Sequence, residues 1–89
     1  GDFQNPELPL HFARYAGAVA KRYPWVRFYT PVNEMYVTAR LSAKEGVWNE
    51  QLKSDRAFVT ATKHLVASSI LACQAIVKQR PDAIIVQSE

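Results

Sequence analysis

Proline residues divide this 89-residue sequence into segments that can adopt only a few structures. Proline fixes its own φ and disfavours helical geometry in the residue before it, so it begins helices or ends elements more readily than it interrupts them. Four prolines stand at the ends of segments with a clear hydrophobic pattern: Pro9, Pro24, Pro31 and Pro81. The ends of the elements between them can therefore be predicted.

Two helices are predicted from apolar residues that recur at spacings of three and four. The first covers about residues 9–22, with Pro9 in its first turn and basic residues in its last turn. The second is longer. It begins at Ser54 or Asp55, either of which can cap a helix, and it ends at about Arg80.

Two strands are predicted from short runs of β-forming side chains. The first covers residues 25–30 and stops at Pro31. The second covers residues 83–86, four apolar residues without alternation, which is typical of a strand buried on both faces. Residues 33–53, between the first strand and the second helix, are predicted to form a long irregular connection, and connections of this length tend to be functional.

The order helix, strand, connection, helix, strand predicts an α/β fold with parallel strands joined by a right-handed crossover. Two strands and two helices leave strand edges and helix faces uncovered. Because the sequence also lacks an initiator methionine, we expect residues 1–89 to form one partial domain of a larger parallel sheet or barrel, with no second domain. The chain alone is expected to be weakly stable or to self-associate.

Composition excludes several classes of protein. A hydrophobic fraction of 48% with 21% charged residues is typical of a folded chain rather than a disordered one. The net charge of +3 is too small to indicate a nucleic-acid partner. The longest apolar-rich run, residues 65–77, is too short to cross a bilayer, so no membrane partner is expected. The single cysteine, Cys73, excludes an intrachain disulfide and, with no signal peptide visible, favours a cytoplasmic location.

Polar residues follow both predicted strands, at the positions where the active sites of parallel α/β folds gather. Asn33 and Glu34 come directly after the first strand, and residues 87–89, Gln-Ser-Glu, come after the second. A carboxyl group held at a strand end beside an amide can transfer protons to and from a substrate. The alternative is that Glu34 is a solvated loop residue or a helix-capping partner.

The segment around Glu34 carries a resemblance to a known family. Residues 31–35, Pro-Val-Asn-Glu-Met, follow residues 27–30, Arg-Phe-Tyr-Thr. This run resembles the end of the fourth barrel strand in glycoside hydrolase family 1, the β-glucosidases and their relatives, although Met35 stands where the family has proline. Further segments of this chain resemble the neighbouring helices and the fifth strand of the family, namely residues 11–16, 21–24, 61–67, 75–77 and 81–86. The similarity therefore covers nearly the whole chain.

The resemblance implies a fragment of a TIM (β/α)8 barrel, from about the third helix to the fifth strand, belonging to a retaining β-glycosidase. It implies that Glu34 is the general acid/base and that Asn33 hydrogen-bonds the sugar 2-hydroxyl group. Retaining hydrolysis also needs a nucleophilic carboxylate about 5–5.5 Å from the acid. In the family that glutamate lies on the seventh strand, outside this sequence, and Glu89 does not fit the role because it follows the fifth strand. The implied partners are a β-glycoside substrate and the remainder of the barrel, and the chain alone is expected to be inactive.

Two aromatic residues after Glu34, Tyr36 and Trp48, are candidates for substrate binding, because aromatic rings stack on sugar rings. The alternative is that they pack the connection onto the barrel. No cofactor and no metal are expected, because the sequence has neither a glycine-rich phosphate loop nor a His, Cys and carboxylate cluster with metal-ligand spacing. Two other functions stay open. One is a catalytically inactive barrel that acts as a carbohydrate-binding or regulatory module. The other is a βαβ module that is not a glycosidase, for example a doubly wound domain, which the lack of a glycine-rich turn disfavours.

Overall fold

The computed structural model of the protein describes residues 2–48 and 51–88. Residues 49 and 50 of the predicted connection, and Glu89 after the second predicted strand, lie outside the described residues. The elements in chain order are α1 (Leu8–Arg22), β1 (Phe28–Tyr29), α2 (Met35–Ala39), a π-helix (Arg40–Lys44), α3 (Asp55–Gln79) and β2 (Ile84–Ile85).

Helix dominates the fold and accounts for about 59% of the described residues. The strands consist of two residue pairs in parallel register, Phe28 with Ile84 and Tyr29 with Ile85. The prediction of an α/β fold that forms part of a TIM barrel is therefore wrong, and the chain forms a small helix-dominated domain. The predicted strands are shortened because a strand needs a backbone partner, and within the described residues each strand pairs only with the other.

The second strand is less buried than its apolar run predicted. Ile84 is 40% exposed and Val86 is 45% exposed, whereas Ile85 packs against the helices. Burial alternates along the run because helices cover only one face of the sheet. Phe28, which pairs with Ile84, is 65% exposed, so the open face of the sheet is apolar. Weak stability or self-association of the chain stays a prediction, which this open face favours.

The two long helices begin and end close to where the sequence predicts. α3 follows Ser54, whose Oγ accepts a hydrogen bond from the Ala57 N–H at 3.0 Å. This bond satisfies one of the free N–H groups of the first turn. α1 has Pro9 in its first turn, and Lys21 and Arg22 in its last turn complement the helix dipole.

α1 and α3 lie side by side and run in the same direction. Phe12 of α1 and Leu65 of α3 line one cavity, and further along both helices Gly17 faces Ala75. The contact buries four residues that we call the helix-pair core: Ala16, Ala20, Ala72 and Ile76. One residue from each strand, Tyr29 and Ile85, packs against this core. The helix pair therefore supports the sheet from one side.

The first part of the predicted irregular connection, residues 35–44, is helical, whereas its described residues 45–48 and 51–53 are irregular as predicted. α2 and the π-helix pack on the N-terminal half of α3 and bury five residues that we call the connection core: Ala39, Ala43, Ala57, Ala61 and Leu65. Two backbone bonds hold the chain after the π-helix, from the Leu52 N–H to the Ser42 carbonyl and from the Ser54 N–H to the Ala43 carbonyl, both at 3.0 Å. These contacts join residues distant in sequence, so a local pattern does not reveal them.

Candidate functional site

The carboxyl ends of β1 and β2 meet at one edge of the sheet because the strands are parallel. There the Glu34 N–H donates to the Ser88 carbonyl at 3.2 Å, and Ser88 Oγ donates to Asn33 Oδ1 at 2.6 Å. We call Asn33, Glu34 and Ser88 the strand-end site. The fold thus brings together polar residues that follow the two predicted strands, 55 positions apart in the case of Asn33 and Ser88.

The hydroxyl group of Ser88 orients the carboxamide of Asn33. Because Oδ1 accepts the bond from Ser88, the amide N–H groups on Nδ2 are directed away from that contact. Asn33 is exposed, and no residue in the two described ranges accepts a hydrogen bond from its Nδ2. Two donors of fixed direction are therefore available to a hydroxyl group of a ligand.

Glu34 has a backbone conformation that is rare for a residue with a side chain. Its φ of 49° and ψ of 58° lie in the left-handed region, which costs about 1–2 kcal/mol. Hydrogen bonds on both sides hold it there, since its N–H bonds to Ser88 and its carbonyl accepts from the Thr38 N–H at 2.9 Å. Backbone strain that the surrounding structure imposes in this way is concentrated at functional sites.

The carboxyl group of Glu34 makes no hydrogen bond and no ion pair with the part of the chain that the structure describes. Glu34 occupies the N-cap position of α2, but its side chain makes no capping bond. Glu34 therefore stands at the helix-cap position of the alternative interpretation, without the side-chain bond by which a residue caps a helix. Glu34 is half-buried as a residue, and a carboxyl group without a hydrogen-bonding neighbour, next to an oriented amide, is able to exchange a proton with a bound ligand.

Tyr36, the first predicted substrate-binding aromatic residue, lies in the first turn of α2. Its ring meets the Phe58 ring edge-on, with the centroids 6.1 Å apart. The Arg40 guanidinium carbon lies 5.7 Å from the Tyr36 centroid, and Arg40 is ion-paired with Glu45. These neighbours orient the ring and leave Tyr36 51% exposed, two residues after Glu34.

Trp48, the second predicted aromatic residue, is tied to the π-helix rather than to the strand-end site. Its backbone N–H donates to the Leu41 carbonyl at 2.9 Å, and the residue is 43% exposed. Over residues 2–48 and 51–88, no hydrogen bond or ring contact joins Trp48 to Asn33 or Glu34. The structure therefore brings Asn33, Glu34 and Ser88 together, but it does not add Trp48 to them.

A cavity of about 240 Å³ lies beside Asn33. Its walls are mostly apolar and include Phe3, Leu8, Phe12, Pro31, Val32 and Leu65. His64 Nδ1 donates to the Phe3 carbonyl at 2.6 Å and so fixes one wall. Because a sugar needs polar partners for its hydroxyl groups, this cavity offers packing behind Asn33 rather than a sugar site.

Ser88 is the residue of the strand-end site to which the sequence analysis gave no role. The sequence places it after the second predicted strand but assigns it no role. The signal that could have found it is a short hydroxyl side chain at one strand end, opposite an asparagine at the neighbouring strand end. Short polar side chains at adjacent strand ends reach each other only if the two strands are hydrogen-bonded neighbours in register, and this pair is.

No group of three His, Cys, Asp or Glu side chains within the described ranges is arranged to hold a metal ion. Over the same residues, no helix combines the length and the apolar character that crossing a membrane requires. The chain matches no protein-family model, and comparison with curated proteins and with solved structures finds no significant match.

Proposed function

We propose that this chain supplies Glu34 as the general acid/base of a retaining β-glycosidase. The observation that carries the proposal is the unpartnered carboxyl group of Glu34 beside the Asn33 carboxamide, which Ser88 orients. The resemblance of residues 31–35 to the signature of glycoside hydrolase family 1 supports the same assignment. The left-handed backbone of Glu34 adds to this support, because strain held by the surrounding structure is a mark of functional positions.

In the first chemical step, Glu34 donates a proton to the glycosidic oxygen while the bond from that oxygen to the anomeric carbon breaks. The nucleophilic carboxylate forms the new bond to the anomeric carbon. In the second step, the ionised Glu34 takes a proton from the water that attacks this glycosyl–enzyme intermediate, which restores both carboxyl groups. No hydrogen bond or ion pair with a described residue competes with the substrate for the Glu34 carboxyl group.

Asn33 donates from Nδ2 to the oxygen of the sugar 2-hydroxyl group in this proposal. Contacts with that hydroxyl group strengthen as the oxocarbenium-like transition state forms. A donor that Ser88 has already oriented needs no reorganisation at that moment, so its contribution to the transition state is larger. Tyr36, two residues after Glu34, contributes a ring that is 51% exposed.

The nucleophile is assigned to polypeptide outside these 89 residues. A retaining mechanism needs a second carboxyl group about 5–5.5 Å from the first, and no carboxyl group of the described residues contacts Glu34. The chain alone is therefore expected to be inactive. Met35, where the family has proline, favours a second candidate function, carbohydrate binding without hydrolysis.

The test compares Glu34→Gln with the unchanged protein in the complete polypeptide that carries this chain. With an aryl β-glucoside whose leaving group needs protonation, kcat/KM is expected to fall about 10²–10⁴-fold. With an activated nitrophenyl leaving group the loss is expected to be much smaller, because that group departs without a proton. Glu7→Gln, the same substitution at the exposed residue just before α1, serves as the matched control and should leave both rates unchanged.

Azide sharpens this test. It attacks the glycosyl–enzyme intermediate without needing a base, so it should accelerate the Glu34→Gln variant on the activated substrate and yield a β-glycosyl azide.

Ser88→Ala, which removes only the contact that orients Asn33, should lower kcat/KM about two- to tenfold. Unchanged turnover by Glu34→Gln would sink the acid/base assignment. Sugar binding without turnover by the unchanged protein would favour the binding function instead.

We also propose a cytoplasmic location. The support is the single cysteine, Cys73, which is free and half-buried in α3, since a reduced thiol is typical of cytosolic proteins. Fractionation of cells with an antibody against the chain tests the location directly, and recovery with secreted or membrane fractions would contradict it.

A further inference from the structure

A second surface lies on the face of the helix pair away from the sheet. It is a groove of about 410 Å³ between α1 and α3, and no residue of β1 or β2 lines it. Its floor consists mainly of small residues, among them Gly17, Ala18 and Ala75. A Cβ added at Gly17 would lie only 3.5 Å from the Ala75 side chain. The two helices are therefore in close contact at Gly17 and Ala75, and these small residues form the base of the groove.

The rim of the groove is basic. Arg14 and Lys21 stand along α1, and Lys78 stands on α3 across the groove. All three are exposed, none forms an ion pair with a residue in the described ranges, and no acidic residue lines the groove. α1 contains no acidic residue, and α3 contains only Asp55, in its first turn at the other end of the helix. The positive charge around the groove is therefore uncompensated.

We propose that this groove binds an acidic amphipathic helix of a partner protein. Apolar side chains of the partner helix would pack on the small residues of the floor, and glutamates or aspartates on its flanks would pair with the basic rim. Arg14 and Lys21 are seven residues apart, two helical turns or about 10 Å. Acidic residues with the same two-turn spacing on an approaching helix therefore match them.

Charge favours this occupant over a second copy of the chain. A second copy of the chain would bring the same basic rim against itself, on a molecule with a net charge of +3, and like charges oppose that pairing. An anionic lipid surface would also meet the basic rim, so vesicles form a separate arm of the test. The proposal concerns a face that does not contain the strand-end site, so it is independent of the glycosidase assignment.

The test measures fluorescence anisotropy of a labelled helical peptide with leucines at helical spacing and glutamates on both flanks. Binding to the protein is expected, and it should weaken at least about tenfold between about 0.05 and 0.5 M salt, because exposed charges are screened. The same peptide with lysine in place of each glutamate should not bind. Absence of binding by the glutamate peptide at low salt would overturn the proposal.

A charge-swap variant tests the location. Arg14→Glu, Lys21→Glu and Lys78→Glu together should weaken binding of the glutamate peptide at least tenfold and create binding of the lysine peptide. The matched control, Arg56→Glu with Lys63→Glu, changes exposed basic residues of α3 that do not line the groove, and it should change the affinity less than twofold. Circular dichroism confirms that each variant keeps its helix content.

A separate arm distinguishes a membrane from a protein partner. Vesicles of phosphatidylglycerol are mixed with the protein and sedimented. Co-sedimentation that the triple charge swap abolishes, together with no binding of the glutamate peptide, would overturn the proposal in favour of an anionic lipid surface. Equal affinity of the control and triple variants for the glutamate peptide would overturn the assignment to this groove.

Discussion

The two halves of α3 pack against different kinds of neighbour. The C-terminal half lies against a second long helix, α1, and against the sheet, and together they form the helix-pair core. The N-terminal half lies against α2 and the π-helix, each five residues long, and forms the connection core. Both cores consist mostly of alanine, so the helix backbones approach closely in both.

The difference determines how each half supports the strand-end site. α2 begins immediately after Glu34, so the connection core sets where the acidic side chain lies. The helix-pair core supports the strands from one side through Tyr29 and Ile85, without touching Asn33 or Glu34. We therefore expect substitutions in the helix-pair core to change stability alone. Substitutions in and around the connection core should change stability and the site together.

The largest expected effect comes from the helix-pair core. Ile76 is the largest fully buried side chain in the described part of the chain, at 2% exposed. Ile76→Ala should lower the free energy of unfolding by about 2–5 kcal/mol, because it removes buried methyl groups and leaves a cavity. Urea titration followed by circular dichroism measures this loss.

Ile70→Ala is the matched control, since Ile70 lies on the same helix but is 54% exposed. The control should change the free energy of unfolding by no more than about 0.5 kcal/mol. In the complete polypeptide, molecules of Ile76→Ala that remain folded should keep their kcat on an aryl β-glucoside. A lowered kcat per folded molecule would break the division of roles between the two halves of α3.

The second effect concerns the chain after the π-helix. Gly46 has a φ of 70°, and a Cβ there would lie 2.6 Å from Lys53 Cγ and 3.2 Å from the Gln51 carbonyl oxygen. Gly46→Ala should therefore cost at least about 1–2 kcal/mol of unfolding free energy, the cost of left-handed backbone for a residue with a Cβ.

An asparagine at this position separates the cost of the positive φ from the cost of the Cβ contact with Lys53. Gly46→Asn carries the same Cβ but tolerates positive φ better, so it should be less destabilising than Gly46→Ala. Because this turn leads into the connection core, both variants should also lower kcat/KM on an aryl β-glucoside. If activity stays unchanged while stability falls, the connection core does not set the position of Glu34.

The third effect is smaller and has the opposite sign. Gly17 lies inside α1, where glycine is about 0.5–1 kcal/mol less favourable than alanine. An added Cβ would make an ordinary 3.5 Å contact with Ala75. Gly17→Ala should therefore raise the melting temperature by about 2–8 °C, since 1 kcal/mol corresponds to about 4–8 °C in a domain of this size. A lower melting temperature would show that the helix pair has no room for one more methyl group.

The sequence predicted those features that depend on neighbouring residues. The Ser54 cap and the basic last turn of α1 are local signals, and both helices follow them. The extent of the strands was predicted wrongly, because pairing of residues 28–29 with 84–85 depends on which partners the chain provides and not on the β-forming character of residues 25–30.

The connection after Glu34 escaped prediction for a related reason. Ala39 and Ala43 form helix because they are completely covered by the N-terminal half of α3, and an isolated helix of five residues would not be stable. For the candidate site, the sequence identified Asn33 and Glu34 but not the orienting role of Ser88. That role exists only because the two parallel strands are neighbours and end at the same edge.

The smallest expected effect joins the C-terminal end of α3 to the sheet. The carboxylate of Asp82 accepts hydrogen bonds from Arg80 Nε and Nη2, at 3.3 and 3.2 Å, and it lies 3.7 Å from Arg27 Nε, just before β1. The hydrogen bonds from Arg80 hold the pKa of Asp82 below its ordinary value of 3.8, and the charge of Arg27 adds to this. Because the pKa of Asp82 is lower in the folded state than in the unfolded state, this contact stabilises the fold above about pH 4. The stabilisation is lost as the pH falls through the folded-state pKa.

Asp82→Asn should therefore lower the midpoint of urea unfolding slightly near pH 6, and the difference from the wild type should shrink as the pH falls through the lowered pKa of Asp82. NMR titration of the Asp82 carboxyl group gives the direct measurement. Arg80→Ala should raise its pKa more than Arg27→Ala does, since Arg80 supplies the hydrogen bonds and Arg27 only a more distant charge. A larger rise with Arg27→Ala would mean that the link to the strand, and not the local turn after α3, dominates this contact.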